Sequence, residues 1–544
     1  MGANRTTTQS PIPHARLLIL GLDGLCWPLL EPLLAAGIMP CLARLRDEGA
    51  WGPLTSVVPT HSAAAWASFL TGQNPARHGI TDFMVRQPDG TYRHARPHPA
   101  TTLWHHLGRG GLRVGAFNFP VSYPPEPVNG FLVSGMLTPR GRTFTYPPEL
   151  GEELLSRFAD YRFDLEWQLY CGRERALLRD LTAMTGQRAE VACFLRDRYA
   201  PDCLAVAFIG PDRLQHALWH HLDPTHPRHD PVQAAALRDA IYGFYTALDQ
   251  AVGRLVADAG PETTVLVLSD HGFQAAARQF RADEWLAGHG WLAFQASRSR
   301  LEQWVRRLDR PWVQHLRRRL VKDVSRHFKS FQPGGTLDWS RTVAFCPWNA
   351  QQGIRLNLRG REPQGIVAPG AGYDRLREEI RQALLETTEP QTGLRVIDRV
   401  WRREELYSGP FLGEMPDLVF TLRPPFSASP VQQRLWADTG WASGDHSLEG
   451  MFIAWGRGVV PGRVENAALV DVAPTALYLM GRPVPAAMDG RVLTAMLDPA
   501  FLGANPPCRE EGAQPVSGAI SAGQVLTPEE EVELQARLRG LGYL

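Results

Sequence analysis

A chain of 544 residues with 44% hydrophobic and 21% charged residues has the composition of a folded protein, which excludes extensive disorder. The formal net charge of +1 gives no overall attraction to a nucleic-acid polymer or to an anionic membrane. The seven scattered cysteines contain no CxxC pair and predict reduced thiols in a cytoplasmic protein. No run of about 18 apolar residues occurs, so we expect no membrane span, and the oligomeric state stays open.

The N-terminal part of the chain contains one short apolar run followed by helical patterns. Residues 1–14 are polar and predict a disordered tail, and residues 16–25, RLLILGLDGL, predict a buried strand that stops at Asp23. Residues 27–37 and 39–49 have apolar side chains at helical spacing, and each pattern ends in glycine. We therefore expect a strand and then two helices.

The next stretch, PTHSAAAWASFLTGQNPARHGI (59–80), carries four hydroxyls at an alanine-rich helical pattern: Thr60, Ser62, Ser68 and Thr71. A serine at the start of a helix is a preferred N-cap. A hydroxyl activated by a base or a metal ion is also a nucleophile. Nothing inside the stretch separates these two roles.

Apolar runs and helical patterns then alternate along the rest of the chain. The predicted strands are 112–120, 130–137, 203–210, 264–273, 416–422 and 450–456. The predicted helices are 172–199, 231–257, 371–386 and 470–481. This alternation predicts an α/β fold with a central, mostly parallel sheet and helices on both faces. In such sheets functional residues collect where the strands end.

We expect residues 15–500 to form one catalytic core with two inserted cap segments, at about 138–171 and 297–335. The first insertion is rich in Pro, Tyr, Phe and Arg. The second is strongly basic with interleaved aromatics, which fits either a solvated amphipathic helical insertion or a lid whose arginines contact an anionic substrate. Residues 501–544 predict a linker and a charged C-terminal helix.

Two of the predicted strands end in residue types that can bind metal ions. Asp23 ends the first strand, where a lone aspartate is usually a turn or cap residue. Asp270 and His271 occupy the same position on a later strand, and an Asp–His pair is unusual in a purely structural turn. Carboxylate and imidazole suit Zn²⁺ or Mn²⁺.

Two further segments supply similar side chains. Asp212 and His216 are spaced i, i+4, so a helix presents both from one face, although a helix start with a packing histidine has the same pattern. His220 and His221 are alternative ligands nearby, and His446 lies in a Gly/Ser-rich loop before a strand. Three aspartates and three histidines on four loops are enough for two divalent ions that keep positions open for substrate.

A two-metal centre of this kind needs an oxygen nucleophile, and Ser62 is placed to provide one. It directly precedes AAAWASFL, where the N–H groups of a helix N-terminus favour an alkoxide and a bound phosphate. The capping role of a serine at this position is the structural alternative.

Five motifs in this order resemble those of the alkaline phosphatase superfamily. They are LILGLDG, PTHSAAAWASFLTGQNPARHGITDF, DRLQH, SDHGF and GDHSLEGMFIAWG, and the likeness extends over about residues 16–494. Within the superfamily, the chain is most similar to the type I phosphodiesterase/nucleotide pyrophosphatase branch and its bacterial phosphohydrolase or phosphomutase relatives. The segment SAAAW lacks the Cys/Ser-x-Pro-x-Arg signature of sulfatases.

The resemblance implies a set of site residues. It assigns one metal ion to Asp23, Asp270, His271 and the nucleophile, and the other ion to Asp212, His216 and His446. The nucleophile implied is Ser62, nine residues before Thr71, and the ions implied are two Zn²⁺, with Mn²⁺ as the alternative.

The resemblance implies a metal-dependent hydrolase of small phosphoesters, of nucleotide or phosphosugar type, with a phosphoseryl intermediate. Phe83 stands where the diesterases carry an asparagine, and the arginine of the monoesterases has no counterpart, so the choice between monoester and diester stays open. A phosphomutase or phosphotransferase is the alternative enzyme, and a non-catalytic binding protein on the same fold is the alternative from another class.

Overall fold

The computed structural model describes residues 15–86, 92–295, 337–347, 352–428, 435–510 and 526–541. The expected N-terminal tail, the basic insertion 297–335 and most of the expected linker lie outside these described residues. The described chain forms two compact units: one comprises residues up to Ala275 with Tyr407–Gly413 and the chain from Gly440, and the other comprises Ala276–Leu406 and Glu414–Thr439. The sequence did not indicate this division, and the domain boundaries given above stay predictions.

The strands of the described residues are numbered here in chain order. They are β1 Leu17–Leu22, β2 Ala50–Thr55, β3 Met84–Arg86, β4 Tyr92–His94, β5 Val114–Phe117, β6 Gly130–Val133, β7 Thr145–Tyr146, β8 Cys203–Phe208, β9 Thr264–Leu268, β10 Gly272–Ala275, β11 Arg278–Phe280, β12 Ala344–Phe345, β13 Gly353–Leu356, β14 Ile397–Arg402, β15 Leu418–Leu422, β16 Phe426–Ala428, β17 Trp436–Asp438, β18 Gly444–Ser447, β19 Glu449–Gly456, β20 Gly462–Arg463 and β21 Ala467–Ala468.

The α-helices range from single turns to two long helices of the first unit. They are α1 Trp27–Ala35, α2 Pro40–Glu48, α3 Ser62–Thr71, α4 Pro75–His78, α5 Leu103–Arg109, α6 Leu150–Arg157, α7 Glu174–Tyr199, α8 Gly210–Leu222, α9 Pro231–Val256, α10 Ala282–Gly288, α11 Ala371–Glu386, α12 Arg403–Leu406, α13 Val472–Leu479, α14 Pro499–Ala504 and α15 Pro528–Gly540.

The first unit is built on one sheet in the order β20-β2-β19-β9-β1-β8-β5-β6-β7, with β21 also paired to β2. β1 lies at its centre and pairs in parallel with β8 and β9, and β5 pairs in parallel with β8 and β6. β19 runs antiparallel between β9 and β2. β7, from the first expected insertion, pairs antiparallel with β6 at the other end of the sheet. The carboxyl ends of the parallel strands therefore lie along one edge.

Helices cover both faces of this sheet. Successive side chains of a strand point to opposite faces, so a strand that is apolar throughout has apolar side chains to bury on each face. On β1, Leu18 and Leu20 belong to an apolar core with α1, α2, α7 and α9. Leu17 and Ile19 belong to a second core with α3, α5 and α13, and this core includes Leu538 of the C-terminal helix. The predicted α/β fold with a central, mostly parallel sheet between helices is confirmed.

The second unit has smaller sheets and its own core. β12, β13, β15 and β14 form an antiparallel four-stranded sheet, and β16, β11 and β17 form a three-stranded one. Its buried core includes Phe280, Trp285, Leu356 and Phe420. The predicted strand 416–422 therefore belongs to this unit and not to the central sheet.

All seven cysteines lie in the described residues and are free thiols, as the sequence predicts. Within the described ranges, no single helix combines the length and apolarity that crossing a membrane requires. In the part of the chain that the structure describes, the bent pair of α1 and α2 meets both criteria jointly, and the leucines of both helices are buried in the protein core.

Candidate active site

The predicted site residues converge at the carboxyl edge of the central sheet. Leu22 of β1 pairs with Phe208 of β8, and Gly21 pairs with Leu268 of β9, so the three strands end level with one another. Asp23 directly follows β1, Asp270 lies two residues after the end of β9, and α8, which carries Asp212, begins two residues after β8. Short connections at aligned strand ends thus bring together residues that are far apart in the sequence.

Ser62 is the first residue of α3 and is fully buried. The residue that caps this helix is His61, whose Nδ1 accepts a hydrogen bond from the Ala63 N–H at 3.3 Å. Ser62 is therefore not the N-cap that the capping alternative requires. Its hydroxyl lies 3.1 Å from His271 Nε2 and points into the cluster of Asp and His side chains.

Two of the other hydroxyls in residues 59–80 have partners nearby, and Thr60 contacts the site through its backbone carbonyl. Ser68 Oγ lies 2.9 Å from His78 Nε2, and the Thr71 hydroxyl donates to the Ala67 carbonyl at 2.8 Å. The Thr60 carbonyl faces His446 Nδ1 at 2.7 Å. Among the hydroxyl contacts described for this stretch, that of Ser62 is the one made to a predicted metal ligand.

Each of the three candidate histidine ligands is oriented by its Nδ1 atom. His216 Nδ1 lies 3.0 Å from the Gly444 carbonyl, and His271 Nδ1 lies 3.1 Å from the Gly272 carbonyl. His446 Nδ1 faces the Thr60 carbonyl in the same way, at 2.7 Å. Because a carbonyl only accepts, the Nδ1 atoms carry the protons and donate. The Nε2 lone pairs are then directed at the centre of the site, which is the arrangement of metal-bound histidines.

The carboxylates present free oxygen atoms to the same centre. Asp23 Oδ2 accepts from Trp66 Nε1 at 3.1 Å, and Asp270 Oδ1 accepts from the Gly24 N–H at 3.2 Å. Their second oxygens, Asp23 Oδ1 and Asp270 Oδ2, are buried without a hydrogen-bond donor. Buried carboxylate oxygens that lack a donor are costly unless a cation binds them. The donor set therefore fits a metal ion.

Two groups of side chains hold their donor atoms within 4.8 Å of one another: Asp212, His216 and His446, and Asp23, Asp212 and His271. His446 Nε2 and His216 Nε2 lie 3.2 and 3.5 Å from Asp212 Oδ1. In the second group Asp212 stands where the resemblance places Asp270, whose Oδ2 is 3.2 Å from His271 Nε2. The structure thus brings all seven predicted residues together, with Asp212 between the two groups.

The electrostatics of the site favour a bound cation. Burial, followed by repulsion from Asp270 and Asp212, raises the pKa of Asp23 well above its ordinary value. Burial raises the pKa of Asp270 to about 7 and lowers the pKa of His271 well below its ordinary range. A neutral His271 and the Asp23 and Asp270 carboxyls, which are costly to ionise without a counter-charge, are suited to a divalent ion. Asp212 and His446 shift the other way: against the effect of burial, His216 and Arg213 hold the pKa of Asp212 well below its ordinary value, and Asp212 raises the pKa of His446.

The two histidines that the sequence offers as alternative metal ligands fall outside these groups. His220 and His221 lie further along α8 with their rings 3.9 Å apart, and neither belongs to a metal-binding group within the described chain. Phe83 is buried, with its ring 5.0 Å from that of His61, and it offers no donor to a phosphoryl oxygen.

Several contacting residues carried no recognised signal in the sequence. Trp66 bonds Asp23, Arg213 pairs with Asp212, and Trp167 stacks on His216. Trp66 is spaced i, i+4 from Ser62, which on a helix indicates one shared face. Arg213 is adjacent to a predicted ligand, but nothing in the sequence marks it as buried.

Comparisons with known proteins add independent findings. The model of the type I phosphodiesterase / nucleotide pyrophosphatase family matches residues 17–449. The structure of phosphonoacetate hydrolase from Sinorhizobium meliloti with phosphonoformate is similar, with a TM-score of 0.50 and 17% identity over 85% of this chain and 95% of that chain. The complex of that hydrolase with phosphonoacetate has a TM-score of 0.49 at the same identity and coverage. No curated protein sequence matches the chain.

Proposed function

The chain belongs to the type I phosphodiesterase/nucleotide pyrophosphatase family, and from that premise we propose that it hydrolyses small phosphoesters with Ser62 as nucleophile. The protein is a phosphoester hydrolase of the alkaline phosphatase superfamily. The substrates proposed are nucleotides or phosphosugars. The proposed location is the cytoplasm, which the free cysteines support.

The observation that carries the proposal is the position of the Ser62 hydroxyl, 3.1 Å from His271 Nε2 within the converging donor atoms. Ser62 also lies in the first turn of α3, where backbone N–H groups without helical partners favour negative charge. The same turn is a suitable place for the oxygens of a phosphoryl group.

The proposed centre holds two divalent ions, one on Asp23, Asp270, His271 and Ser62 and the other on Asp212, His216 and His446. When bound, such ions supply Lewis-acid stabilisation of the attacking and leaving oxygens. Three carboxylates and one serine alkoxide bring four negative charges, which two divalent ions balance. Nitrogen and oxygen donors without thiolate suit Zn²⁺, and Mn²⁺ is the second choice.

In the proposed reaction the Ser62 hydroxyl releases its proton to solvent, and its Oγ attacks the phosphorus in line. The Oγ–P bond forms, the bond from phosphorus to the leaving oxygen breaks, and that oxygen takes a proton from solvent. Water then attacks the phosphoserine, releases the phosphate product and returns the proton to Ser62. The helix N-terminus stabilises the negative charge of the phosphoryl oxygens in both steps.

The test compares Ser62→Ala with Ser68→Ala, a matched change on the same helix. With Zn²⁺ or Mn²⁺ supplied, we expect the wild-type protein to hydrolyse p-nitrophenyl phosphate, bis-p-nitrophenyl phosphate or a nucleotide sugar. Ser62→Ala should lower turnover by about 10⁴-fold or more while still binding metal, as for other covalent nucleophiles. Ser68→Ala should keep turnover.

Near-normal hydrolysis by Ser62→Ala would remove Ser62 as the nucleophile. Analysis of the products formed from a phosphosugar provides a second measurement. Free phosphate is the expected product, whereas an isomeric phosphosugar would replace hydrolysis with phosphoryl transfer between hydroxyls of the substrate.

A further inference from the structure

The orientation of Asp212 depends on the buried arginine beside it. Arg213 is fully buried, and its guanidinium bonds Asp212 Oδ2. The other oxygen, Asp212 Oδ1, therefore points toward His216 and His446, with 3.5 and 3.2 Å to their Nε2 atoms. An arginine on one carboxylate oxygen fixes which oxygen is presented to the candidate metal centre.

Arg213 is itself held by a second carboxylate. Asp164, whose side chain is 3% exposed, accepts from Arg213 Nε at 3.1 Å and from the terminal Nη2 at 2.9 Å. This bidentate pair fixes the plane of the guanidinium. It also balances the arginine charge, so that Asp212 keeps negative charge for a cation. Without Asp164, the whole charge of Arg213 would fall on Asp212 and compete with the ion.

Three residues further along, the same segment contacts the second ligand of this group. The Trp167 ring stacks on the His216 imidazole, with 5.3 Å between centroids and 5° between planes. Trp167 is 1% exposed, and its Nε1 donates to the Leu541 carbonyl at 2.7 Å. His216 is thus held by a carbonyl at Nδ1 and by an aromatic face against its ring.

We propose that Asp164 and Trp167 are positioning residues for the metal-binding group of Asp212, His216 and His446. Asp164 acts through Arg213 on the carboxylate, and Trp167 acts on the imidazole ring. The inference rests on the proposed function, because it requires that this group binds an ion. It gives the segment 164–167 a role in the site that its sequence does not indicate.

The experiment measures the Zn²⁺ affinity of the full chain by competition with a chromophoric chelator. Asp164→Asn removes the charge and keeps the size, and Asp160→Asn is the matched control at an exposed position of the same segment. We expect Asp164→Asn to lower the affinity for one of the two Zn²⁺ ions by about 10–100-fold, which is the usual effect of losing a residue that orients a ligand. Excess Zn²⁺ should then restore turnover, and Asp160→Asn should bind as the wild type does.

Trp167→Leu and Trp167→Phe give a second, independent measurement. Leucine removes the stacked ring and should lower the affinity for the same Zn²⁺ ion. Phenylalanine keeps an aromatic face and should retain most of that affinity. Wild-type affinity in Asp164→Asn and Trp167→Leu, with reduced stability, would overturn the inference in favour of a purely structural role. A wild-type protein that binds no Zn²⁺ would overturn the proposed metal centre, and this inference with it.

Discussion

At the level of single residues, Trp66 joins the helix of Ser62 to the carboxylate of Asp23. Its indole is fully buried and donates to Asp23 Oδ2 at 3.1 Å. The ring fits because Gly21 on β1 has no side chain. A Cβ at Gly21 would lie 2.6 Å from Trp66 Cη2, closer than real carbon contacts allow. The space around one glycine therefore determines where a site residue is held.

We predict that Gly21→Ala lowers the free energy of unfolding by about 1–3 kcal/mol, the usual cost of overpacking a core. Urea denaturation of the purified protein measures the change. Gly186→Ala in α7 is the matched control, since nothing lies within 4 Å of a Cβ at that position. The control should be neutral or stabilised by up to about 1 kcal/mol, as alanine favours a helix over glycine. Equal effects at both positions would contradict the role given to Trp66.

The candidate ligands could be predicted from the sequence because each follows a recognisable pattern. Asp23 and Asp270 stand where apolar runs stop, and Asp212 and His216 share one helix face. Asp164 and Arg213 could not be predicted in the same way. A charged residue in a polar segment or a helix turn is normally solvated. Only the fold shows that this pair is buried against the site.

At the level of elements, α2 depends on a side chain from a distant helix for its N-terminus. Its N-cap residue, Met39, supplies no side-chain acceptor. Asp249 of α9 accepts from the Cys41 and Leu42 N–H groups, at 2.9 Å each. A carboxylate at a helix N-terminus satisfies free donors and interacts favourably with the helix dipole. The contact fixes α2 against α9.

Asp249→Ala should lower the free energy of unfolding by about 1–3 kcal/mol, because two backbone donors lose their acceptor. Chemical denaturation again provides the measurement. Asp239→Ala removes an exposed carboxylate from the same helix and should change stability by less than about 0.5 kcal/mol. A stable Asp249→Ala protein would show that water or a neighbouring group replaces this cap.

The long elements agree closely with their sequence patterns, whereas a short strand was missed. The predicted helices 231–257 and 371–386 correspond to α9 and α11, since both have clear helical spacing. β2, with the sequence AWGPLT, has no such pattern because glycine and proline interrupt it. It is nevertheless a strand because β19 pairs with it along the whole length of β2, from Ala50 to Thr55.

At the level of the whole molecule, the candidate site collects side chains from Asp23 to His446. The family predicted from the five motifs is confirmed by the match over residues 17–449. The sequence could predict that these side chains lie close together because each of them belongs to a motif. It could not predict the second compact unit, since the strands of both units have similar apolar patterns.

Because its ligands come from distant segments, a bound ion should stabilise the folded chain as a whole. We predict that a chelator lowers the free energy of unfolding relative to protein with Zn²⁺, by about 2.7 kcal/mol for each site at 100 times its Kd. Thermal unfolding with and without chelator measures the difference. His446→Ala should reduce the difference between the Zn²⁺-loaded and the chelated protein, whereas His106→Ala on α5 should leave this difference unchanged. An unchanged melting temperature on adding chelator to the Zn²⁺-loaded protein would contradict this linkage.

The pairing of β2 has a consequence for the order of events during synthesis. Among the described residues, β2 pairs with β19, β20 and β21, and Thr55 is matched to Glu449. The strand that leads to Ser62 thus leaves the ribosome long before any of its partners exists. Contacts so distant in the chain form late in folding. A nascent chain therefore cannot complete the surroundings of Ser62 until most of its length has been translated, and it stays inactive until then.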